Sequence, residues 1–548
     1  MSPSEPATRP QPMKWGGWGE PGKRNELGPG AQEMLRAELG APSPGPRASS
    51  PEEVRLPDAR ELPGEIERAV GSQNVLSGHG DRIHRALGKS YPDLVKARSA
   101  ALDAAPDAVV LPGSPEEVAA VLAACAASGV AVVPFGGGTS VVGGVDPFAG
   151  PHPAVIALDL SRLRHCHVDR RSLTARLGPG LRGPEAEAAL SAHGLTLGHF
   201  PQSFEFATVG GFAATRSAGQ ASAGYGRFDE LVSAIEMIAP AGRLRTLETP
   251  HTAAGPALRE LAVGSEGTLG VITDVSVRVR EAPSAHRYEG WIADDFATGA
   301  DVVHAMAQAG ALPDVTRLSD PEETRISLAM SGTAGLKRTL LDSYLKLRRR
   351  TGGCMLICGW EGEAESVERR RAVSSRLLRA GGAVPLGSAP GRAWRHGRFE
   401  GPYFRDELIE LGYFVETLET SHTWSSYEKL YEAVGRALTD ALGDQGTPGI
   451  VMCHLSHAYR DGASLYFTFI APAKPGNEIE QWREVKGAAC DAIVATGGTI
   501  THHHAVGRDH APYMGAEVGA LGLEALRALK ERFDPAGIMN PGKLLPSA

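Results

Sequence analysis

Pro134-Phe135-Gly136-Gly137-Gly138-Thr139-Ser140 is the stretch that decides the fold. Three consecutive glycines admit positive φ and close approach, and successive backbone N–H groups in such a turn make a concave nest for a phosphate. Thr139 and Ser140 add hydroxyl donors. A tight turn without a ligand is the plain alternative for a lone glycine run, so the flanking sequence has to decide. Upstream, AVVLPG at 108–113 reads as a buried strand, SPEEVAAVLAACAASG as a helix opened by a serine cap, and AVVPF as a second strand, which together make a βαβ unit. The loop is not a GxGxxG opening a helix, and no acidic residue about 20 positions on completes a ribose contact, which argues against a nicotinamide-type dinucleotide site.

Working outward, two more glycine-rich segments occur, TVGGFAATRSAG at 208–219 and GSEGTLGVIT at 264–273, each beside a strand or helix start. Three such sites in one domain suit a long, extended ligand. Between them LVSAIEMIAPAGRLRTLE reads as a hairpin turning at Ala-Gly. Residues 58–282 thus read as one α+β domain. Residues 283–475 alternate strands (TRLSD, CMLICGW, GIVMCHL, SLYFTFI) with amphipathic helices and read as a second, and 476–548 supply a helix, a histidine-rich segment and a closing helix. Residues 1–57 are rich in Pro, Gly, Ser and charge and read as a partly disordered arm, with one aromatic island, MKWGGWG at 13–19, suited to docking.

At 548 residues the chain exceeds one hydrophobic core, and a net charge of -8 gives nucleic acid no electrostatic footing. No apolar run reaches the roughly 18 residues of a membrane span. The six cysteines include no CxxC pair, and neither a secretory nor a peroxisomal signal is read, so a cytoplasmic setting is expected.

The order and spacing of PFGGGTS, TVGG and GSEGTLGVIT resemble the flavoproteins with a vanillyl-alcohol oxidase or PCMH-type FAD domain, from about residue 90 to the end. The resemblance implies an α+β fold, with a two-part FAD-binding domain over 58–282, an α+β cap or substrate domain over 283–475, and a C-terminal segment returning to the FAD site. It implies that FAD is lined by Pro134, Phe135, Gly136, Gly137, Gly138, Thr139 and Ser140; by Val209, Gly210, Gly211, Phe212, Ala213, Ala214 and Thr215; by Ser222, Ala223, Gly224 and Tyr225; and by Glu266, Gly267, Thr268, Leu269, Gly270, Val271 and Ile272. Members with covalent flavin carry a histidine in or beside the glycine loop. Thr139 and Ser140 stand there in this chain, so FAD is expected to be non-covalent.

Within that family the hydroxy-acid dehydrogenases carry HxGDGNxH and SGEHGxG, and both are missing here. HLSHAYRDGASLYFTF at 454–469, THHHAVG at 501–507, FRDELIELGYFVETLETS at 404–421 and TRLSD at 316–320 are similar to the alkyldihydroxyacetonephosphate synthase branch. That branch exchanges the acyl group of acyl-dihydroxyacetone phosphate for a fatty alcohol through a flavin N5 adduct. By position it implies catalytic roles for Tyr466, His502, His503, His504, Arg405 and Arg317. The chemistry fits: imidazoles titrate near neutrality, and arginines bind phosphate in a fork. Three histidines in an extended segment would put His502 and His504 on one face and His503 on the other. A metal held by the triplet with His454 or His457 lacks a familiar zinc spacing, and none is expected. The ending FDPAGIMNPGKLLPSA has the hydroxy-acid-dehydrogenase style and keeps an FAD-linked oxidoreductase open as the alternative. A small-molecule or lipid-like substrate and a homodimer are the partner expectations. The basic helix LKRTLLDSYLKLRRR at 336–350 reads either as a solvated cap helix, the preferred reading, or as a peripheral membrane contact.

Overall fold

The computed structural model describes residues 11–330 and 343–546. The first seven residues of the basic helix expected at 336–350 lie outside them, and 343–347 are helical.

The first layer is a four-stranded sheet in the order Val75–Leu76, Ala108–Val110, Ala154–Asp159, Val130–Phe135, the last three parallel. The helix Pro115–Ser128 makes the crossover. It starts where the Ser114 side chain accepts the N–H of Glu117 and stops at Gly129 in the left-handed region. Strand Val130–Phe135 pairs through Phe135 with Asp159 and runs straight into the glycine loop, which fixes where the loop begins. A second, antiparallel sheet follows in the order Cys166–Asp169, Thr174–Leu177, Val271–Arg278, Val232–Ala239, Gly242–Arg245. It contains the Ala-Gly hairpin and places GSEGTLG at the head of its central strand.

The cap is a seven-stranded antiparallel sheet: Val384–Gly387, Ala285–Ala293, Cys354–Gly362, Val315–Ser319, Ile450–Ala458, Gly462–Pro472, Tyr413–Thr423. Side chains alternate along each strand. Leu465, Phe467 and Phe469 are fully buried against the helices Phe296–Gln308, Ala364–Ala380, Tyr427–Asp444 and Glu478–Thr496, while Tyr466, Thr468 and Ile470 face a cavity on the other side. Each buried phenylalanine contributes roughly 1.5–3 kcal/mol, and a one-residue slip would exchange these sets, so the core pins the register that aims Tyr466.

Two boundaries differ from the sequence reading. Helix Glu478–Thr496 packs Val485, Ala489 and Ile493 into the cap core, so the return toward the FAD half begins after it and not at 476. The return ends with Ile538 and Asn540 bonded to the backbone of Val132, covering the free edge of the strand that feeds the glycine loop. The partly disordered arm is also corrected over 11–57: Met13, Trp15 and Trp18 are buried, and helix Pro29–Leu39 packs Ala31 and Leu35 on the cap. Lys14 pairs with Asp406 at 3.1 Å, so the aromatic island docks on the cap helix Gly401–Glu410.

Candidate active site

Between the two halves lies a cavity of about 540 Å³. One wall is Pro134 to Ser140, Gly210, Gly211, Phe212, Ala214, Thr215, Glu266, Gly267, Gly270 and Ile272. The other is the cap face with Arg317, Arg405, Tyr466, His503 and His504. The glycines are needed for packing as well as for approach: a Cβ on Gly137 would lie 2.1 Å from the Phe206 carbonyl, and Gly138 has φ 66°. Val209, Ala213, Leu269 and Val271 support this wall from the core behind it, and Thr268 bonds the Ser265 carbonyl. Ser222–Tyr225 does not reach the cavity. Gly224 is pressed on Asp314 and the Tyr225 hydroxyl donates to Glu361, because this short helix seals the seam between the FAD half and the cap strands Val315–Ser319 and Cys354–Gly362. Ser217, Ala218 and Gln220 line the cavity in its place.

The histidine triplet is a bend and not an extended segment. The cause is Glu419, fully buried on strand Tyr413–Thr423, whose carboxylate accepts the backbone N–H groups of His502, His503 (3.0 Å) and His504 (2.7 Å) and the Thr501 hydroxyl. Burial alone would raise this carboxyl; the imidazoles of His503, His504 and His502, with the backbone bonds, hold it well below its ordinary range. Glu266 grips the same segment from the FAD half, accepting the N–H groups of Val506 and Gly507 at 2.8 Å each, and burial lifts its carboxyl to about 7. Wrapped this way, His503 and His504 both face the FAD cavity, whereas His502 lines a separate outer pocket. Burial pushes all three imidazoles down, His504 to about 3, so they are neutral bases at pH 7.

Glu419, Tyr466 and His454 stand opposite one another on three neighbouring strands. The Tyr466 ring stacks on His454 at 4.8 Å and meets His504 edge-on at 5.4 Å. Burial pushes the Tyr466 phenol up to about 12, which makes it a proton donor at pH 7. Arg317 donates to His454 Nε2 (3.0 Å) and to Glu323 (2.7 Å), and Glu323 also holds His454 Nδ1 at 3.0 Å. Because arginine only donates, Nε2 is the acceptor and the His454 proton sits on Nδ1. Burial and Arg317 push this imidazole down to about 4.

The two arginines differ. Arg317 has its fork occupied, while Arg405 spends Nη1 on the Lys89 carbonyl and leaves Nε and Nη2 buried without a partner. Gln202 Nε2, Gln220 Oε1 and His457 Nδ1, from residues that also line the cavity, are likewise unpartnered. Unmet donors and acceptors beside a glycine wall fit a cofactor that carries phosphates and a heteroaromatic edge of both kinds, as FAD does. His457, His502 and His503 bring one nitrogen each within 4.8 Å of one another, the grouping of the triplet with His457 that the sequence raises without a familiar zinc spacing. Glu323, Glu419 and Tyr459 were also missed. Glu419 is visible only as a polar residue at an inward position of an alternating strand, Tyr459 as one at a hairpin turn, and Glu323 as an acid in the first turn of helix Pro321–Met330.

Residues 106–248 match the family described as an FAD binding domain, and 282–544 match the C-terminal domain of FAD linked oxidases. The chain is 32% identical to the alkyldihydroxyacetonephosphate synthase of Dictyostelium discoideum over 98% of its own length and 94% of that protein. It is 33% identical to that of Trypanosoma brucei brucei over 88% and 80%. A solved alkyldihydroxyacetonephosphate synthase structure superposes with a TM-score of 0.82 at 29% identity, covering 96% of this chain and 98% of the other. The chain is an FAD-dependent enzyme that holds its cofactor non-covalently. It belongs to the PCMH-type FAD-linked oxidase family, in the group related to the alkyldihydroxyacetonephosphate synthases.

Proposed function

We propose that the enzyme exchanges the acyl group of acyl-dihydroxyacetone phosphate for a fatty alcohol. The observation that carries this reading is the make-up of one cavity: the unpaired donors of Arg405 share it with an apolar wall of Ile326, Met330, Phe404, Leu408, Met452 and Ile470. A ligand for such a site has an anionic head and a long apolar tail, which a short hydroxy acid lacks.

Arg405 would hold the phosphate. Neutral His503 and His504 would take the proton from the substrate carbon and from the alcohol, and Tyr466 would protonate or polarise the oxygen on the opposite side. Bound FAD supplies a nucleophilic ring nitrogen. The apolar wall excludes water, so the alcohol meets no competing nucleophile. A substrate that partitions into membranes brings peripheral membrane contact into the proposal; among the described residues no helix is long and apolar enough to cross a bilayer.

The test is to incubate the purified yellow protein anaerobically with palmitoyl-dihydroxyacetone phosphate and labelled hexadecanol, and separately with D-2-hydroxy acids. Label in an ether product with the flavin still oxidised is expected. Bleaching by a hydroxy acid with no label transferred would establish the oxidoreductase alternative instead.

A further inference from the structure

His502 stands on the wall between two cavities. Inside it, His503 and Tyr466 line the FAD cavity. Outside it is a second cavity of about 570 Å³, lined by Tyr459, Arg227, Thr499 and the exposed Asp461 and Glu517. Hydrogen bonds join the two: His503 Nδ1 lies 2.9 Å from His502 Nδ1, and His502 Nε2 lies 2.7 Å from the Tyr459 hydroxyl. His457 stacks on the His502 ring at 5.3 Å, and Arg227 donates to the His502 carbonyl at 2.9 Å, so the ring and the backbone that carries it each have a partner. Tyr459 is half-buried at the turn between strands Ile450–Ala458 and Gly462–Pro472, its backbone bonded to Gly462 and to the Trp424 indole.

We propose that His503, His502 and Tyr459 form a proton path from the FAD cavity to the outer cavity. It rests on the exchange reading above, whose stoichiometry creates the need. The alcohol O–H bond and the bond from the substrate carbon to the acyloxy oxygen break, the ether C–O bond forms, and the acyl group leaves as a carboxylate. One proton is left over at neutral pH, in a cavity filled by cofactor and lipid.

The hydrogen bonds supply the exit. A neutral imidazole bears one N–H, so a bond between two Nδ1 atoms forces His502 and His503 into opposite tautomers. With the proton on His503 Nδ1, His503 Nε2 is free to act as base, and His502 Nε2–H points at the Tyr459 oxygen. A proton taken up at His503 Nε2 moves the chain along by one: His503 Nδ1–H passes to His502, His502 Nε2–H passes to Tyr459, and the phenolic proton leaves into the outer cavity. The chain then points the other way, and it resets when an imidazole turns or a proton returns along the same path. Tyr459 touches no reacting atom; it is a relay residue.

The test uses the full-length, FAD-loaded protein with Tyr459→Phe, which keeps the ring and removes the hydroxyl. Expected are a kcat lowered by about 10- to 100-fold, an unchanged KM and flavin spectrum, and partial restoration by imidazole or formate, which fit the outer cavity and leave the wild type unaffected. A rate within twofold of wild type, or a loss that small bases leave untouched, would overturn the path. A second readout needs no substrate. In 15N-histidine spectra His502 and His503 should show opposite tautomers, and deuterium exchange at the His503 imidazole should slow at least tenfold in the variant. Matching tautomers or unchanged exchange refutes the relay. Failure of the exchange reading shows separately, as a wild type that transfers no label. Should Tyr459→Phe fail to retain FAD, the wild-type tautomers decide the matter.

Discussion

Arg405 enters the cavity from helix Gly401–Glu410 with one nitrogen tied to Lys89 and two left over. A buried donor without a partner costs on the order of 1–3 kcal/mol, and a charged one more, so the fold keeps this group at a loss that an anionic ligand removes. Arg405→Met should therefore raise KM for the phosphate-bearing substrate by about 100-fold, roughly 2.7 kcal/mol, at the level of a charged hydrogen-bond pair. FAD content and thermal stability should hold or improve, because the orphaned donors are gone. Steady-state kinetics with flavin absorbance checks this, and an unchanged KM would place the phosphate elsewhere. Arg317 is the contrast: its fork already serves Glu323 and His454, and although burial alone would raise the Glu323 carboxyl, Arg317 and His454 hold it well below its ordinary range. Replacing it strands a buried carboxylate, so Arg317→Met should cost several kcal/mol of stability along with activity, as breaking one side of a buried pair does.

At the scale of the element, the bend at 501–504 shows how a catalytic segment is shaped from outside itself. Its sequence has no turn residue, and three histidines in a row carry no local preference for a bend. The bend exists because Glu419 collects three consecutive N–H groups, and Glu266 collects the next two usable ones from the opposite side. Glu419→Ala leaves three buried donors unmet, at about 1–3 kcal/mol each. The expected result is a midpoint lowered by several degrees and a kcat down at least 100-fold while the bound flavin spectrum persists; a variant with normal kcat would show that the segment holds its own shape. The same contrast explains what the sequence made legible. The glycine loop, the βαβ unit, the Ala-Gly hairpin and the alternating strand that aims Tyr466 all follow from local rules of φ, capping and period. The pairing of Glu419 with residues 83 to 85 positions later, the tautomer lock on His454 and the outward turn of His502 depend on which strands become neighbours, and no periodicity records that. Ser222–Tyr225 was placed at the cofactor by resemblance, and the packing of Gly224 on Asp314 turns it away.

For the molecule as a whole, the seam between the halves is rich in buried imidazoles, and this sets its response to acid. His84, His199, His454, His457, His502, His503, His504 and His510 are all pushed down, chiefly by burial, His454 and His510 to about 4 and His199 and His504 to about 3. A histidine lowered in the folded state leaves the unfolded chain binding more protons between its ordinary value near 6.5 and the folded one. Its contribution to stability is therefore complete above about 6.5 and is lost as pH falls toward 4. Six acids act in the opposite sense: Asp93 is raised to about 6 and Glu266, Asp320 and Asp509 to about 7, and burial also raises Glu187 and Asp314, so each weakens the fold as pH rises through the same window. Eight against six still leaves the histidines in excess, at about 1.4 kcal/mol per pH unit for each net proton. The melting temperature should fall by roughly 5 °C between pH 6.5 and pH 5, and because three of these histidines line the seam at 502–504, FAD fluorescence should appear in step with unfolding. A melting temperature that is flat over that range would mean that the imidazoles titrate in the folded protein. The neutral bases on which the exchange chemistry depends would then be absent at the lower pH, and the pH profile of kcat would have to show their loss.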